Sequence, residues 1–494
     1  MLYAIAALLA ATQGDQCGPT TTPAARTVLE RVSSAVSLDA TIGHAAASGT
    51  GLDATAGRVL HIDAYDLTNH AFESDRPDSP PFLAAVSSLE AWLDPRTGVE
   101  RTISRITLGG TTPPATTLGG ATASYVVRDT TITPSPSVHG ALYATRPLDV
   151  WAMLADWNAA ADVRTVATCT YREYPRLVLS RRGPLGDERL FIDLKSSYPV
   201  KLDRIEPHYL WGTVHAEYLY STWQREGGFR WPASSFRVVD GSTDVTRTYG
   251  AVRLVPIDSA PRLSLPAHTD TMPIAEPAFM TPTNPDTVRV GPNTFVLHNV
   301  GFNETVTLAR DTVYLFDATQ GETRAREDSA WIARLFPGKH PIVLVVTDIA
   351  WPHVAGVRFW VANGATIVTH RANDAFLRRV IDRRWTANPE LLERRRAAVT
   401  PHIRVVNGSL RLAGGDITVF AIDGVASEGA LAAFLAPDRF LWASDYVQTL
   451  AAPTQYLDET WAAVDRMHLS PARVAAEHLK LSSWEDARRL QRFP

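Results

Sequence analysis

The chain has 494 residues, 45% of them hydrophobic and 20% charged, with a net charge of −4 and a pI near 6.4. That length accommodates two or three domains with full hydrophobic cores, and the composition is that of an ordinary soluble globular protein. The mild acidity, with no long run of like charge, argues against nucleic acid or an anionic membrane as partner.

In chain order, "MLYAIAALLAATQGDQC" opens with an apolar stretch, Leu2 to Ala11, followed by small and polar residues. It is too short to span a bilayer and reads as the core of a signal peptide cleaved near Gly14, although no Lys or Arg precedes Arg26. The expectation is export to a periplasm or the exterior, with residues 1–24 outside the fold. No other stretch reaches transmembrane length. Cys17 and Cys169 belong to no C-x-x-C pair, which excludes a cysteine zinc knuckle. They leave two readings open: a disulfide in an oxidising compartment, or two unrelated thiols.

Residues 25–262 are strand-dominated. "VRTVATCTYREY", "RLVLSRR", "RLFIDL" and "HAEYLYSTW" alternate apolar and polar positions between turn signals, and "DPRTG" (Asp94 to Gly98) and "REGG" (Arg225 to Gly228) read as tight hairpin turns. Trp211, Tyr218, Tyr220 and Trp223 form an aromatic stripe whose alternation predicts core packing. One helix is expected, over Arg146 to Ala161. The prediction is a curved antiparallel α+β unit. Eight prolines from Pro256 to Pro292 then mark a semi-extended linker, placed at 263–287.

From 288 to 494 strands and helices alternate. "TFVLHNV" and "ETVTLARDTVYLFDA" predict a strand and a hairpin, "REDSAWIARLF" a helix and "PIVLVVTDI" a buried strand. "HVAGVRFWVANG" predicts a helix closed by Gly364, "ATIVTH" a strand and "ANDAFLRRVIDRRW" a helix started by Asn373 or Asp374. "SLRLAGGDITVFAID" and "GALAAFLAPDRFLWASD" give strand pairs, and helices follow over Tyr456 to Met467 and Ser483 to Phe493. The result is a layered α/β domain on mixed sheets.

Several of these strings, taken together and in order, resemble the metallo-β-lactamase superfamily. "FVLHNVGFNETVTLARDTVYLFDA" looks like the opening hairpins of that fold, ending at Asp317-Ala318. "VVTDIAWPHVAGVRFWVANGATIVTHRANDAFLRRVI" stands where the family carries H-x-H-x-D-H, "SEGALAAFLAPDRFLWASD" where a strand pair ends in its metal-bridging Asp, and "VAAEHLKLSSWEDA" where the last ligand precedes a closing helix. The resemblance implies an αββα sandwich over residues 288–494. More softly, "RLFIDLKSSYPVKLDRIEPHYLWGTVHAEYLYSTW" resembles strand-rich lipoprotein-carrier domains, which implies an antiparallel half-barrel around a helix with an apolar cleft.

Carried over position by position, the family's metal motif is depleted. Asp348 stands for the first His, Ala350 for the second, Pro352 for the Asp and Ala426 for the next His, while His353, Asp445 and His478 are kept. The resemblance implies zinc held by histidines and carboxylates, with water activated for attack on a carbonyl or phosphoryl centre. With two alanines in it, the three-histidine site is not expected to fill. The second retains His353, Asp445 and His478, compatible with one zinc or iron(II), and Asp348 is a further ligand or a general base. Trp351 and His370 are candidate substrate contacts, with packing or capping as the plainer alternative for each. No G-x-S-x-G, P-loop or dinucleotide fingerprint occurs. No catalytic residue is assigned. Two expectations follow: a hydrolase of ester or amide-type bonds with at most one divalent metal, zinc first, or an inactive exported relative with no metal that binds a small, apolar or protein partner.

Overall fold

The structure is a computed structural model that describes residues 16–18, 23–36, 57–70, 83–107, 114–226, 229–266, 271–274, 286–299, 301–423, 429–451 and 457–490. The apolar stretch read as a signal peptide, Ala426 and the side chain of Trp351 lie outside the described residues. The chain divides into two compact units. The first comprises Met1–Asn69, Ala84–Glu206 and Val214–Pro277; the second comprises His70–Leu83, Pro207–Thr213 and Ala278–Pro494. The division after Pro277 falls inside the stretch read as a linker. Leu263, Leu265 and Met272, from the start of that stretch, pack against Val99, Leu118 and Tyr125 of the first unit.

The first unit is built on one sheet. Its early strands are β1 (Gln16–Gly18), β2 (Arg58–His70), β3 (Leu83–Leu93), β4 (Glu100–Thr107), β5 (Ala115–Gly119), β6 (Ser124–Arg128) and β7 (Thr131–Pro134). Its later strands are β8 (Arg164–Tyr171), β9 (Tyr174–Arg182), β10 (Asp187–Asp193), β11 (Pro199–His208), β12 (Gly212–Glu226), β13 (Phe229–Val239) and β14 (Ser242–Pro256). The fourteen lie in the order β1-β8-β9-β10-β11-β12-β13-β14-β2-β3-β4-β5-β6-β7. Hairpins join most neighbours. At Asp94–Gly98 the Gly98 N–H bonds the Asp94 carbonyl at 2.8 Å, and Gly98 takes φ 67°, which a side chain would resist. Residues 227 and 228 of the second expected turn lie outside the described residues.

Three helices accompany this sheet: α1 (Ala25–Val36), α2 (Pro136–Thr145) and α3 (Val150–Ala159), where a single helix was expected over Arg146 to Ala161. Pro147 and Asp149 break that stretch into a 3-10 turn, Arg146–Leu148, and α3. Alternation along the strands puts Leu177, Leu179, Leu190, Ile192, Tyr218 and Tyr220 on one face, where they bury Leu29 and Val32 of α1 and Met153 and Trp157 of α3. The tyrosines of this core have polar duties as well. The Tyr218, Tyr220 and Tyr249 hydroxyls donate to the carbonyls of Ala144, Pro147 and Leu148 at 2.6, 2.7 and 2.7 Å, satisfying groups that a helix end leaves open. Trp211 of the aromatic stripe does not join them; it packs in the second unit against Phe376.

The second unit has two sheets. One runs β15 (Asp286–Arg289), β16 (Thr294–Asn299), β17 (Phe302–Ala309), β18 (Thr312–Phe316), β19 (Ile342–Val345), β20 (Thr366–His370), β21 (His402–Val406), in chain order. Its pairing is antiparallel as far as β18 and parallel beyond. The other runs β22 (Ser409–Leu412), β23 (Ile417–Ala421), β24 (Leu431–Leu435), β25 (Phe440–Trp442), β26 (Arg473–Ala475), β27 (Ser482–Ser483). The two-residue turn Arg310-Asp311, with both φ values positive, matches the twist of the hairpin it closes.

Neighbouring residues on a strand face opposite ways, and this sorts the layers. Val296, Phe316, Val345 and Val368 meet Ile417, Val419, Ala433 and Trp442 between the sheets. Leu297, Leu315, Leu344 and Ile367 face outward, against helices α4 (Gly321–Leu335), α5 (Trp351–Val354), α6 (Val357–Ala362), α7 (Asp374–Asp382) and α8 (Leu391–Arg395). On the far side, Phe420, Phe434 and Leu441 pack against α9 (Leu457–Arg466) and α10 (Trp484–Arg488). The unit is a four-layer α-β-β-α sandwich, the architecture that the resemblance implied.

Among the expected elements that come out shorter, two lie beside the site described below. The strand expected over Pro341 to Ile349 ends its ladder at Val345, because the Asp317 side chain captures the Thr347 N–H. The helix expected from His353 to Gly364 breaks at Gly356, whose N–H donates to the Ala318 carbonyl at 2.7 Å. A Cβ at 356 would meet that oxygen at 2.9 Å, so only glycine allows the close approach.

Candidate metal centre

The site gathers where β18, the loop after β19, the loop after β25 and the loop after β26 end. Asp317 organises it. At φ 67°, just past β18, it turns its buried carboxylate across the gap between the sheets. Asp317 Oδ1 accepts from Thr347 N at 2.7 Å; Oδ2 accepts from Thr347 Oγ1 at 2.6 Å and Trp442 Nε1 at 2.9 Å. Oδ2 also lies 3.2 Å from His353 Nδ1.

His353 sits in α5, fully buried, with its own carbonyl accepting from Ala318 N at 3.1 Å. Its Nε2 lies 3.1 Å from Glu477 Oε2. Neither contact is aligned along the ring's N–H direction, so both are ionic approaches rather than good hydrogen bonds. Burial works against charge on this imidazole, but Glu477 and Asp317 outweigh it, and His353 is held protonated well above the usual histidine range.

Glu477 and His478 follow β26 on a loop fixed by four hydrogen bonds. Glu477 N donates to Ser444 O at 2.8 Å, the Glu477 carbonyl accepts from Asn303 N at 2.7 Å, and Asn303 Nδ2 donates to Ala476 O and Leu479 O at 2.9 and 3.1 Å. His478 Nδ1 contacts the Gly301 carbonyl, and its Nε2 lies 3.5 Å from both Asp445 Oδ1 and Glu477 Oε2. Asp445 keeps 29% of its side chain open, though Oδ1 itself is covered. Burial, then repulsion from Glu477, pushes its carboxyl up to about 7, with His478 and His353 pulling the other way.

The structure therefore brings together three of the four residues singled out as ligands, His353, Asp445 and His478, and adds Glu477. One ligand atom each from His353, Asp445 and Glu477 lies within 4.8 Å of the others. Asp348 is directed elsewhere: Oδ1 accepts from Ala350 N at 2.8 Å and Oδ2 from the Tyr446 hydroxyl at 2.9 Å, which closes the turn into α5. His370 caps the 3-10 turn Arg371–Asn373, its Nδ1 accepting from Ala372 N at 3.2 Å. No motif points to Glu477; its only signal is that it adjoins His478 in "AAEHLK". In the sequence Asp317 stands out only as a strand terminus, with nothing to give it a role in the site.

The donor set suits a cation. Ligand atoms on one ion at ordinary bond lengths of about 2.0–2.2 Å lie roughly 3–4 Å apart, and the contacts here are 3.1, 3.5 and 3.5 Å. Both Glu477 oxygens, Asp445 Oδ1 and His353 Nε2 are buried without an aligned hydrogen-bond partner among the described residues. Each histidine has Nδ1 on an acceptor, Asp317 or the Gly301 carbonyl, and Nε2 toward the carboxylates. That is the arrangement by which an outer acceptor fixes a ligand imidazole.

No family model matches the sequence, and no curated relative matches it. Among solved structures the chain is similar to the DIM-1 metallo-β-lactamase, at TM-score 0.34 and 14% identity over 42% of this chain and 96% of that one. It is similar as well to metallo-β-lactamases from Hirschia baltica (TM-score 0.34, 12% identity) and Pontibacter korlensis (TM-score 0.32, 15% identity). Each match covers 42% of this chain and 96% of the other.

Proposed function

We propose that this chain is a divergent, exported member of the metallo-β-lactamase superfamily whose second unit holds one divalent cation and hydrolyses an ester, amide or related bond. The collinear strings of the sequence and the four-layer strand order support the family. The proposed ligands are His353, Asp445, Glu477 and His478, with zinc as the first choice. The observation that carries the reading is the pair of histidines, each with Nδ1 on an acceptor and Nε2 toward Glu477 Oε2 or Asp445 Oδ1, oxygens that are covered and have no aligned hydrogen-bond partner among the described residues.

A bound ion would polarise a carbonyl or phosphoryl oxygen and acidify a water. The chain's residues supply the rest. Asp317 would keep the Nδ1 proton of His353 in place, so that Nε2, on giving up its proton to an incoming cation, would offer its lone pair to the pocket. Asn303 fixes the loop that carries Glu477 and His478. Asp445 and His478, 29% and 34% exposed, leave the side on which water and substrate enter. The Cys17–Cys169 disulfide supports export, since such bonds persist in oxidising compartments. The first unit is read as the half-barrel of a lipoprotein-carrier-like domain, with a place for an apolar ligand.

The test is metal analysis of the purified full-length chain. One tightly held equivalent of zinc, iron or manganese is expected, lost in His353→Ala and Glu477→Gln, with chelator-sensitive turnover of activated esters lost in Asp445→Asn. A second reading, an inactive binding protein, is favoured by one arrangement: His353 lies between the Asp317 and Glu477 carboxylates, which favour its protonated form, and an imidazolium there offsets part of their charge without an ion. Protein that is metal-free, refuses added zinc and turns over nothing would overturn the hydrolase reading.

A further inference from the structure

The first unit carries another convergence of ligand atoms. His61 and Asp63 are two apart on β2, and Glu90 and Trp92 two apart on the neighbouring β3, so each pair shares a sheet face. The contacts put both pairs on the same one. His61 Nε2 lies 3.1 Å from Glu90 Oε1 and 4.0 Å from Asp63 Oδ1, and one ligand atom from each of the three falls within 4.8 Å of the other two. The His61 ring lies flat on Trp92, centroids 5.0 Å apart and planes 19° from parallel, which holds Nε2 toward the two acids.

We infer that His61, Asp63 and Glu90 form a second divalent-cation site, independent of the centre proposed above and selective for a borderline transition ion such as zinc or copper(II). An imidazole with two carboxylates suits those ions better than calcium or magnesium, which take all-oxygen shells. The three side chains are 19%, 42% and 35% exposed, so water completes the shell and the ion exchanges freely. Arg253 pairs with Asp63 at 3.2 Å, but that arginine is 59% exposed, and so open a pair is weak enough for the cation to displace. The stacked Trp92 gives the site its own optical reporter, because copper(II) on His61 would lie close enough to quench that indole.

The experiment titrates metal-stripped full-length protein with zinc by calorimetry, and with copper(II) under tryptophan excitation. A weak, exchangeable zinc equivalent is expected, with affinity falling at least about tenfold in His61→Ala and in Glu90→Gln. Copper quenching should shrink in Trp92→Phe and in His61→Ala. His353→Ala should leave both signals intact, so failure of the centre in the second unit cannot imitate failure here. Unchanged zinc affinity and unchanged quenching in folded His61→Ala overturn the inference. Should His61→Ala not fold, the same two readings on Glu90→Gln decide it.

Discussion

At the scale of single residues, Asp317 has more depending on it than its neighbours do. It receives three aligned hydrogen bonds and approaches His353 from one buried carboxylate. Asp317→Asn keeps the volume but turns an NH2 group toward donors and removes the charge that fixes the imidazole proton. The expected outcome is a fall in affinity for the metal proposed at this centre of about 10- to 100-fold, with a lower melting temperature in the metal-free protein. Zinc competition and thermal melts on Asp317→Asn check both, and an unaltered affinity would contradict the role given to Asp317. His353, Asp445 and His478, which the structure brings together, could be picked out of the sequence because each stands at a motif position. Glu477 was hidden because convergence across loops leaves no spacing to read. Asp348 shows what a motif position leaves open: a carboxylate where a ligand belongs can as well close a turn, and here it accepts from Ala350 N–H and the Tyr446 hydroxyl.

At the scale of elements, periodicity foretold most strands and helices, and it failed where side chains replaced backbone partners. Thr347 bonds Asp317 instead of extending β19, and Gly356 bonds Ala318 instead of continuing a helix. Alternation placed Tyr218 and Tyr220 in the core but said nothing of their hydroxyls, which tie the start of α3 and the turn before it to the sheet. Charged groups are buried among them. Asp149, at the start of α3, accepts from Arg247 Nη1 at 2.6 Å, and its other oxygen lies 2.9 Å from the Tyr249 hydroxyl. Glu100 on β4 lies in the same network, and burial, then Asp149, pushes its carboxyl up to about 7. Between pH 4.5, its usual value, and about 7, the folded chain keeps a proton that the unfolded chain has released. Stability from this group is therefore full at the acid end and declines as pH rises through that window. Glu100→Gln should remove the decline and gain on the parent by something on the order of 1–3 kcal/mol between pH 5 and pH 8. Urea unfolding at the two pH values measures it, and a variant that loses ground at pH 8 would refute the sign.

At the scale of the whole molecule, the disulfide joins residues 152 apart, Cys17 on β1 and Cys169 on β8. Closing so long a loop restricts the unfolded chain. Cys169→Ser, or reductant added to the parent, should cost roughly 2–5 kcal/mol of unfolding free energy. Denaturant titration with and without reductant reads it, and coincident curves would show that the bond has no such effect. The spacing of the cysteines in the sequence left the pairing open; it takes β1 lying beside β8, Cys17 opposite Cys169, to decide it.

The same short strand has a consequence for life at high concentration. Among the described residues the fourteen-stranded order terminates in β1, three residues long, and in β7, four residues ending in Pro134. A broad sheet with bare margins invites a stranger's strand to zip on, and tethered or proline-tipped stubs deny it a foothold. Cutting the tether would uncover the flank of β8, so the reduced protein should tend to clump before it melts.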